Sequence, residues 1–319
     1  MVAYLGAIWK CRFFWLSLVK VDLVSRYRGS VLGICWSLLH PIAMTAILCV
    51  VFRYAFNMPN VRTFAPLLFT GLTFWGFFSS VVVQGCGCFF QGEPYIRQFP
   101  APMAIYPLRT VLASAFHFSI GLLLAIAIAL LAGPAKEDNV AGPPRMLPTQ
   151  QQANNSTEKA ARTSVSCAIP NEPAKPPENA STSQTPEEEP SRTLQLMALP
   201  SLLPTLLLLL LFGWSVAILF GLLNVRFRDT RHLAEIGLQG LFYMTPIMYP
   251  KDMMKGRFLG QLLRCNPLTP ILDLLREPIL SGHIPSLTTY AVAGLIVLVL
   301  TVAAMVALKI EERRLIFHL

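Results

Sequence analysis

The chain has 319 residues, of which 54% are hydrophobic and 13% charged, with a mean hydropathy of +0.54. A soluble domain carries about 25% charged residues, so much of this surface faces something other than water, and a soluble enzyme or binding domain is excluded. The net charge of +9 reads, in so apolar a chain, as the cytoplasmic bias of membrane loops rather than a nucleic-acid footprint, and no nucleic-acid partner is expected.

The first 28 residues interleave Lys10, Arg12, Lys20 and Asp22 with Trp9, Phe13, Phe14 and Trp15. They lack an uninterrupted apolar stretch followed by a small-residue cleavage site, so no cleavable signal is expected. The mixture fits an interfacial helix on the cytoplasmic membrane surface, although its charges do not fall on one clean face.

Five apolar runs are long enough to cross a hydrocarbon core of about 30 Å as helices: residues 31–52, 64–90, 110–132, 196–223 and 287–308. A sixth, 233–249, is shorter and runs into Thr245-Pro246-Ile247-Met248-Tyr249-Pro250. Six crossings return both termini to one side. With that side inside, thirteen basic residues lie in cytoplasmic segments against seven in the short outer ones. Both termini are therefore expected in the cytoplasm of a multi-pass inner-membrane protein.

Residues 134–193 are left out of that count because long loops translocate largely regardless of charge. Ten of them are Pro and twelve Ser or Thr, with no aromatic residue. Such a segment cannot bury enough apolar surface to offset its ordering entropy, so it is expected to be a disordered extracytoplasmic insert. Beyond the 233–249 run, residues 258–263 and 268–280 are apolar but too short to cross, and Pro250, Pro267, Pro270 and Pro278 break them up. They read as two short outer half-helices or as an amphipathic outer loop.

The expected fold is all-α: six transmembrane helices, an N-terminal interfacial helix and two outer half-helices. Its parts are 1–28, the interfacial segment; 29–133, spans one to three; 134–195, the insert; and 196–319, the last three spans with half-helices at about 250–285 and a short cytoplasmic tail.

Absences bound the chemistry. There is no Gly-Lys dipeptide, hence no phosphate-binding loop of the Walker type. No Asp or Glu lies deep in an expected span, whereas ion-coupled carriers use such carboxylates. The five histidines are scattered without ligand spacing. The seven cysteines suggest no disulfide framework, and Cys86-Gly87-Cys88 reads as small helix-packing residues. No catalytic, cofactor-binding or metal site is expected, and a membrane-embedded transferase would find only Asp229 and Glu235 near one face.

Three strings at membrane boundaries stand out. The first runs from Ser25 through Arg26-Tyr27-Arg28-Gly29 to Trp36 and Pro41. The second is Gln91-Gly92-Glu93-Pro94-Tyr95-Ile96-Arg97-Gln98-Phe99-Pro100-Ala101-Pro102, which reads as a docking element or as a plain linker. The third is Asn224-Val225-Arg226-Phe227-Arg228-Asp229-Thr230-Arg231-His232, a cytoplasmic turn. Phe74-Trp75 and Phe77-Phe78 form an aromatic cluster that would either line a channel or pack against protein and lipid.

Together, the Arg-Tyr-Arg-Gly-Ser-x-Leu-Gly-x-x-Trp-x-Leu-x-x-Pro run, the Asn-Val-x-x-Arg-Asp-x-x-His turn, Pro246-Ile247-x-Tyr249-Pro250 and Asn266-Pro267-Leu268-Thr269 resemble the permeases of ABC-2 type transporters. The branch most similar exports O-antigen, capsular polysaccharide or teichoic acids. The resemblance covers residues 5–132 and 196–315. It implies a homodimer, a separate nucleotide-binding ATPase that holds the ATP and magnesium, and a glycan or glycolipid substrate; its nearest rival is an ABC-2 permease for drugs or small lipids. It also places Glu93, Tyr95, Ile96, Arg97 and Phe99 at the family's coupling position and Tyr249, Pro250, Asn266 and Pro267 at an outer gate. Two features depart from the pattern: the long insert, and Glu93-Pro94-Tyr95 within the coupling segment.

Overall fold

The computed structural model describes residues 2–30, 33, 35–56, 61–98, 101–133, 197–248 and 266–318. The insert at 134–195 and the first expected half-helix, 258–263, lie outside the described residues, as do Phe99, Tyr249 and Pro250.

Every regular element among the described residues is helical. In chain order they are α1 (Val2–Lys10), α2 (Arg12–Tyr27), α3 (Cys35–Phe56), α4 (Val61–Ile96), α5 (Ile105–Ala132), α6 (Leu202–Arg226), α7 (Thr230–Met244), α8 (Leu268–Arg276) and α9 (Leu287–His318). A 3-10 turn, Leu199–Ser201, leads into α6, and α8 runs on into a wider turn, Glu277–Ser281.

Among the described residues, five stretches are long and apolar enough to span a membrane: Cys35–Tyr54, Phe64–Ile96, Ile105–Ala132, Leu199–Arg226 and Leu287–Glu312. The sixth expected span is shorter than its sequence suggests. α7 begins at Thr230 and stops at Met244, because Pro246 follows and the residue before a proline is pushed to extended backbone; Thr245 has ψ 135°. Its 15 residues cover about 22 Å. By itself it falls short of the hydrocarbon thickness.

α4, with 36 residues, is about 54 Å long and therefore extends past the hydrocarbon core. It is the hub of the bundle, packed against α5 on one side and α6 on another, with α6 backed by α9. Small residues set the α4–α6 approach. A Cβ on Gly85 would stand 2.9 Å from Ala217 Cα, and one on Gly221 would stand 2.8 Å from Cys88 Sγ. Close helix packing of this kind takes the place of hydrophobic expulsion inside a bilayer. Cys86 and Cys88 are free, buried thiols in this seam, as expected of packing residues.

Side-chain bonds identify the two ends of the bundle. At one end, Asn224 Nδ2 donates to Cys86 O (2.8 Å), Trp214 Nε1 to Ala104 O (3.1 Å) and Tyr4 Oη to Glu312 Oε1 (3.3 Å). At the other, Tyr290 Oη donates to Ser201 O (2.8 Å), and Arg276 reaches the carbonyls of Leu67 and Pro246. Between them, α9 exposes Leu295, Leu298, Val299, Val302 and Val306, and α3 exposes Ile42, Ile47, Val50 and Val51. These aliphatic faces suit lipid.

The N-terminal segment departs from a single surface helix. It breaks at Cys11 into α1 and α2, and α2 lies along α5. Asp22 Oδ2 is 3.0 Å from Arg109 Nε, and Tyr27 Oη is 2.8 Å from His117 Nδ1. The two anchor points on α5 are eight residues apart, or about 12 Å of helix. α2 keeps an outward apolar side, with Phe13, Leu16, Val21 and Val24 exposed and the Arg12 guanidinium 4.7 Å from the Phe13 ring centre.

Candidate functional site

The second string predicted from sequence lies where α4 leaves the bundle and α5 begins. α4 continues through Glu93 and Pro94 to Ile96, and residues 97–98 turn away. Glu93 and Arg97 form an ion pair one helical turn apart, at 2.8 Å, with side chains 36% and 68% exposed. So exposed a pair adds little to stability and leaves both charges accessible. Tyr95 is half-buried, with its ring edge-on to Phe14 of α2 at 6.3 Å, and Ile96 packs on the cluster that holds Ile105 and Tyr106.

Beside this turn lies an open cleft of about 650 Å³. Tyr4 and Lys10 of α1, with Cys11 just after it, form one wall, residues 96–98 and 101–103 the other, and Glu312 of α9 closes one side. Tyr4 is a half-buried polar group between them. Desolvation, and then the Glu312 carboxylate, push its phenol up to about 12, so it stays protonated and donating at neutral pH.

The residues of the first and third strings separate into two roles. Tyr27 is a packing anchor through His117, whereas Arg26, Arg28 and Gly29 are exposed around the end of α2, with Gly29 at φ 81°. Arg228 and Asp229 are exposed on the turn between α6 and α7, where Leu233 N donates to Asp229 O at 3.1 Å. Neither lines the cleft.

At the opposite end, Asn266 is buried and links three segments. Its Nδ2 donates to Met244 O (3.2 Å) and Thr245 Oγ1 (3.0 Å), and its Oδ1 accepts from Leu268 N (3.0 Å). Pro267 is exposed beside it and caps the start of α8. α8 itself is no surface helix: Leu268, Ile271, Leu272, Leu274 and Leu275 are all buried.

The aromatic cluster on α4 is core. Phe74, Phe77 and Phe78 are 0%, 3% and 7% exposed. Phe77 lies 5.1 Å from Phe118, Phe78 stacks on Phe212 at 5.8 Å, and the half-buried Trp75 meets Phe242 at 5.3 Å. Phe74, Phe77 and Phe78 are thus packed between helices of one chain, as the core-packing alternative expects, while Trp75 keeps part of its ring uncovered.

Several residues of these two ends were not singled out from sequence: Tyr4, Arg109, His117, Trp214, Arg276 and Glu312. Each acts through a partner far away in the chain.

Residues 195–280 match the family model described as ABC-2 type transporter. Over 261 residues, 82% of this chain and 78% of the relative, the sequence is 23% identical to the O-antigen export system permease protein RfbA of Klebsiella pneumoniae. Over 274 residues, 85% and 82% of the two chains, it is 21% identical to the protein of the same name from Myxococcus xanthus. The family match covers α6, α7 and α8, and the relatives extend the similarity to most of the helical bundle. The chain is thus a multi-pass helical membrane protein similar to permeases of the ABC-2 type.

Proposed function

We propose that this chain is the membrane-spanning subunit of an ATP-driven exporter that moves a polysaccharide or lipid-linked glycan across the inner membrane. The observation that carries this is the similarity to O-antigen export permeases along more than four-fifths of the chain. The absence of a Walker-type phosphate loop from the sequence assigns ATP hydrolysis, with its magnesium, to a separate subunit. A long hydrated polymer cannot cross hydrocarbon, so two copies of the chain would form the conduit between them. Both termini, the Arg228–Asp229 turn and the Glu93–Arg97 end would face the cytoplasm, with α7 and the Thr245–Met248 turn together completing the sixth crossing.

The ATPase would dock on residues 93–102. Glu93 and Arg97 offer exposed charge there, and Tyr95 offers an aromatic surface beside the cleft. Nucleotide-driven closure of the ATPase would tilt this end, a two-state rocking change that widens the seam between subunits.

The test is reconstitution of the permease with its ATPase in proteoliposomes loaded with lipid-linked glycan. ATP-dependent appearance of the glycan on the far side is the expected result. Transport of a drug or small lipid with no movement of glycan would overturn the substrate assignment. Tyr95→Ala and Phe99→Ala should uncouple hydrolysis from export more than Arg97→Ala does, because a buried aromatic contributes about 1.5–3 kcal/mol and an exposed ion pair about 0–1 kcal/mol. Labelling of a thiol at position 228 from outside the cell would overturn the orientation.

A further inference from the structure

Ala104 is fully buried on the turn that joins the 96–103 segment to α5. Both polar groups of its backbone are bound by side chains from distant parts of the chain. Its N–H donates to Tyr4 Oη at 3.4 Å, and its carbonyl accepts from Trp214 Nε1 at 3.1 Å. Tyr4 Oη itself donates to Glu312 Oε1 at 3.3 Å. The first N–H groups of a helix have no partner within it, and here the N-terminal boundary of α5 is served by α1. The series Glu312–Tyr4–Ala104–Trp214 therefore joins α9, α1, the start of α5 and α6.

The surroundings leave this turn little room to move independently. A Cβ on Gly92 would stand 2.9 Å from Tyr106 Cε1, so the last turns of α4 and the first turn of α5 are already in close contact. Trp214 is 8% exposed, in the same cluster as Ile105 and Tyr106. On the other side the open cleft separates α1 from residues 96–98. There Tyr4 is the polar bridge from α1 to the turn. A push on residues 101–103 meets packed protein toward α4, and two hydrogen-bonded helices beyond Ala104.

We propose that Tyr4 and Trp214 are positioning residues that carry displacement of residues 101–103, through the backbone of Ala104, to the ends of α9 and α6. This rests on the assignment of residues 93–102 as the ATPase contact. The two hydrogen bonds divide the signal: Tyr4 serves α9 through Glu312, and Trp214 serves α6 directly.

Amide hydrogen exchange on the permease in nanodiscs, with and without its ATPase, tests this. In the wild-type protein, partner binding should slow exchange in residues 97–104, in the last turns of α9 and in the second half of α6. Tyr4→Phe, which removes one oxygen atom, should keep the effect at 97–104 and α6 and reduce it at α9 by about five-fold or more. Trp214→Phe should reduce the α6 effect instead. Glu312→Gln retains an acceptor for the Tyr4 hydroxyl and should respond as the wild type does. A wild-type α9 response in Tyr4→Phe would overturn the relay, as would loss of the response in Glu312→Gln. Exchange raised equally with and without the ATPase would mean that Tyr4 is only a structural cap, which also overturns it. Absence of any wild-type effect at 97–104 would instead remove the docking assignment, and the relay with it.

Discussion

The guanidinium of Arg276 occupies the space beside Gly71: a Cβ at position 71 would overlap Nη2 and stand 3.1 Å from the Ile247 oxygen that Nη2 binds. Nη1 of the same group donates to Pro246 O at 2.5 Å, and Nη2 also reaches Leu67 O at 3.1 Å. One buried cation thereby fastens α8, the turn after α7 and the start of α4 together, beside the link made by Asn266.

Removing that cation should be costly. Arg276→Met leaves the carbonyls of Leu67, Pro246 and Ile247 without this donor, and an unsatisfied buried polar group costs about 1–3 kcal/mol. The expected loss is about 3–5 kcal/mol, read as a lower Tm in detergent. Gly71→Val should lose a similar amount by displacing the guanidinium, and a double variant should lose much less than the sum. Additive losses would mean that the two sites act independently.

Asp22 gives a pH test. Burial raises its carboxyl above the usual carboxylate range, and the attraction of Arg109 and Arg26 offsets this only in part. A raised folded-state pKa means the folded chain holds the proton more tightly than the unfolded one. The contribution of Asp22 to stability is then fully present below the ordinary carboxylate pKa and is lost as pH rises through the raised value. Asp22→Asn should stay within about 1 kcal/mol of wild type at neutral pH and flatten that part of the Tm–pH curve. Asp22→Lys, beside the buried Arg109, should cost about 2–4 kcal/mol. Equal losses in both variants would mean that the ion pair outweighs desolvation.

Phe78 should behave as a core residue. Phe78→Ala removes the ring stacked on Phe212 and should cost about 3–5 kcal/mol of stability. Export per folded permease, normalised to protein in the membrane, should stay near wild type. A well-folded Phe78→Ala permease with altered polymer selectivity would return this residue to the conduit.

The glycines divide sharply. Gly221→Leu forces a side chain into Cys88, Phe89 and the Gly85 carbonyl and should abolish the folded subunit. A Cβ on Gly237 or Gly240 of α7 meets nothing within 4 Å, so Gly240→Leu should leave the subunit folded by Tm and by tryptic pattern. Size-exclusion chromatography of Gly240→Leu then reports whether this open face packs against a second copy: a folded monomer in place of a dimer is the expected outcome for a homodimer closed through α7.

The periodic and compositional features of the chain were sufficient for its class. Runs of apolar residues near the length that crosses a bilayer, interrupted by basic turns, mark a polytopic helical protein whatever those helices pack against, because lipid demands internally satisfied backbone. The ordered strings around Arg26–Gly29, Arg228–Asp229 and Asn266–Pro267 pointed to the ABC-2 permeases for the same local reason: each is short and contiguous. The early end of α7 was written at Pro246, although the apolar count through Tyr249 outweighed it.

Tertiary structure alone decided which face of each helix meets protein. Phe74, Phe77 and Phe78 have the same composition whether they line a conduit or fill a core, and only the positions of Phe118 and Phe212 distinguish the two. The same holds for Tyr4 with Glu312, Asp22 with Arg109 and Arg276 with Leu67. Helix periodicity assigns a residue to a side of its own cylinder, but the partner on that side comes from a segment up to 308 positions away, and no local pattern encodes that distance.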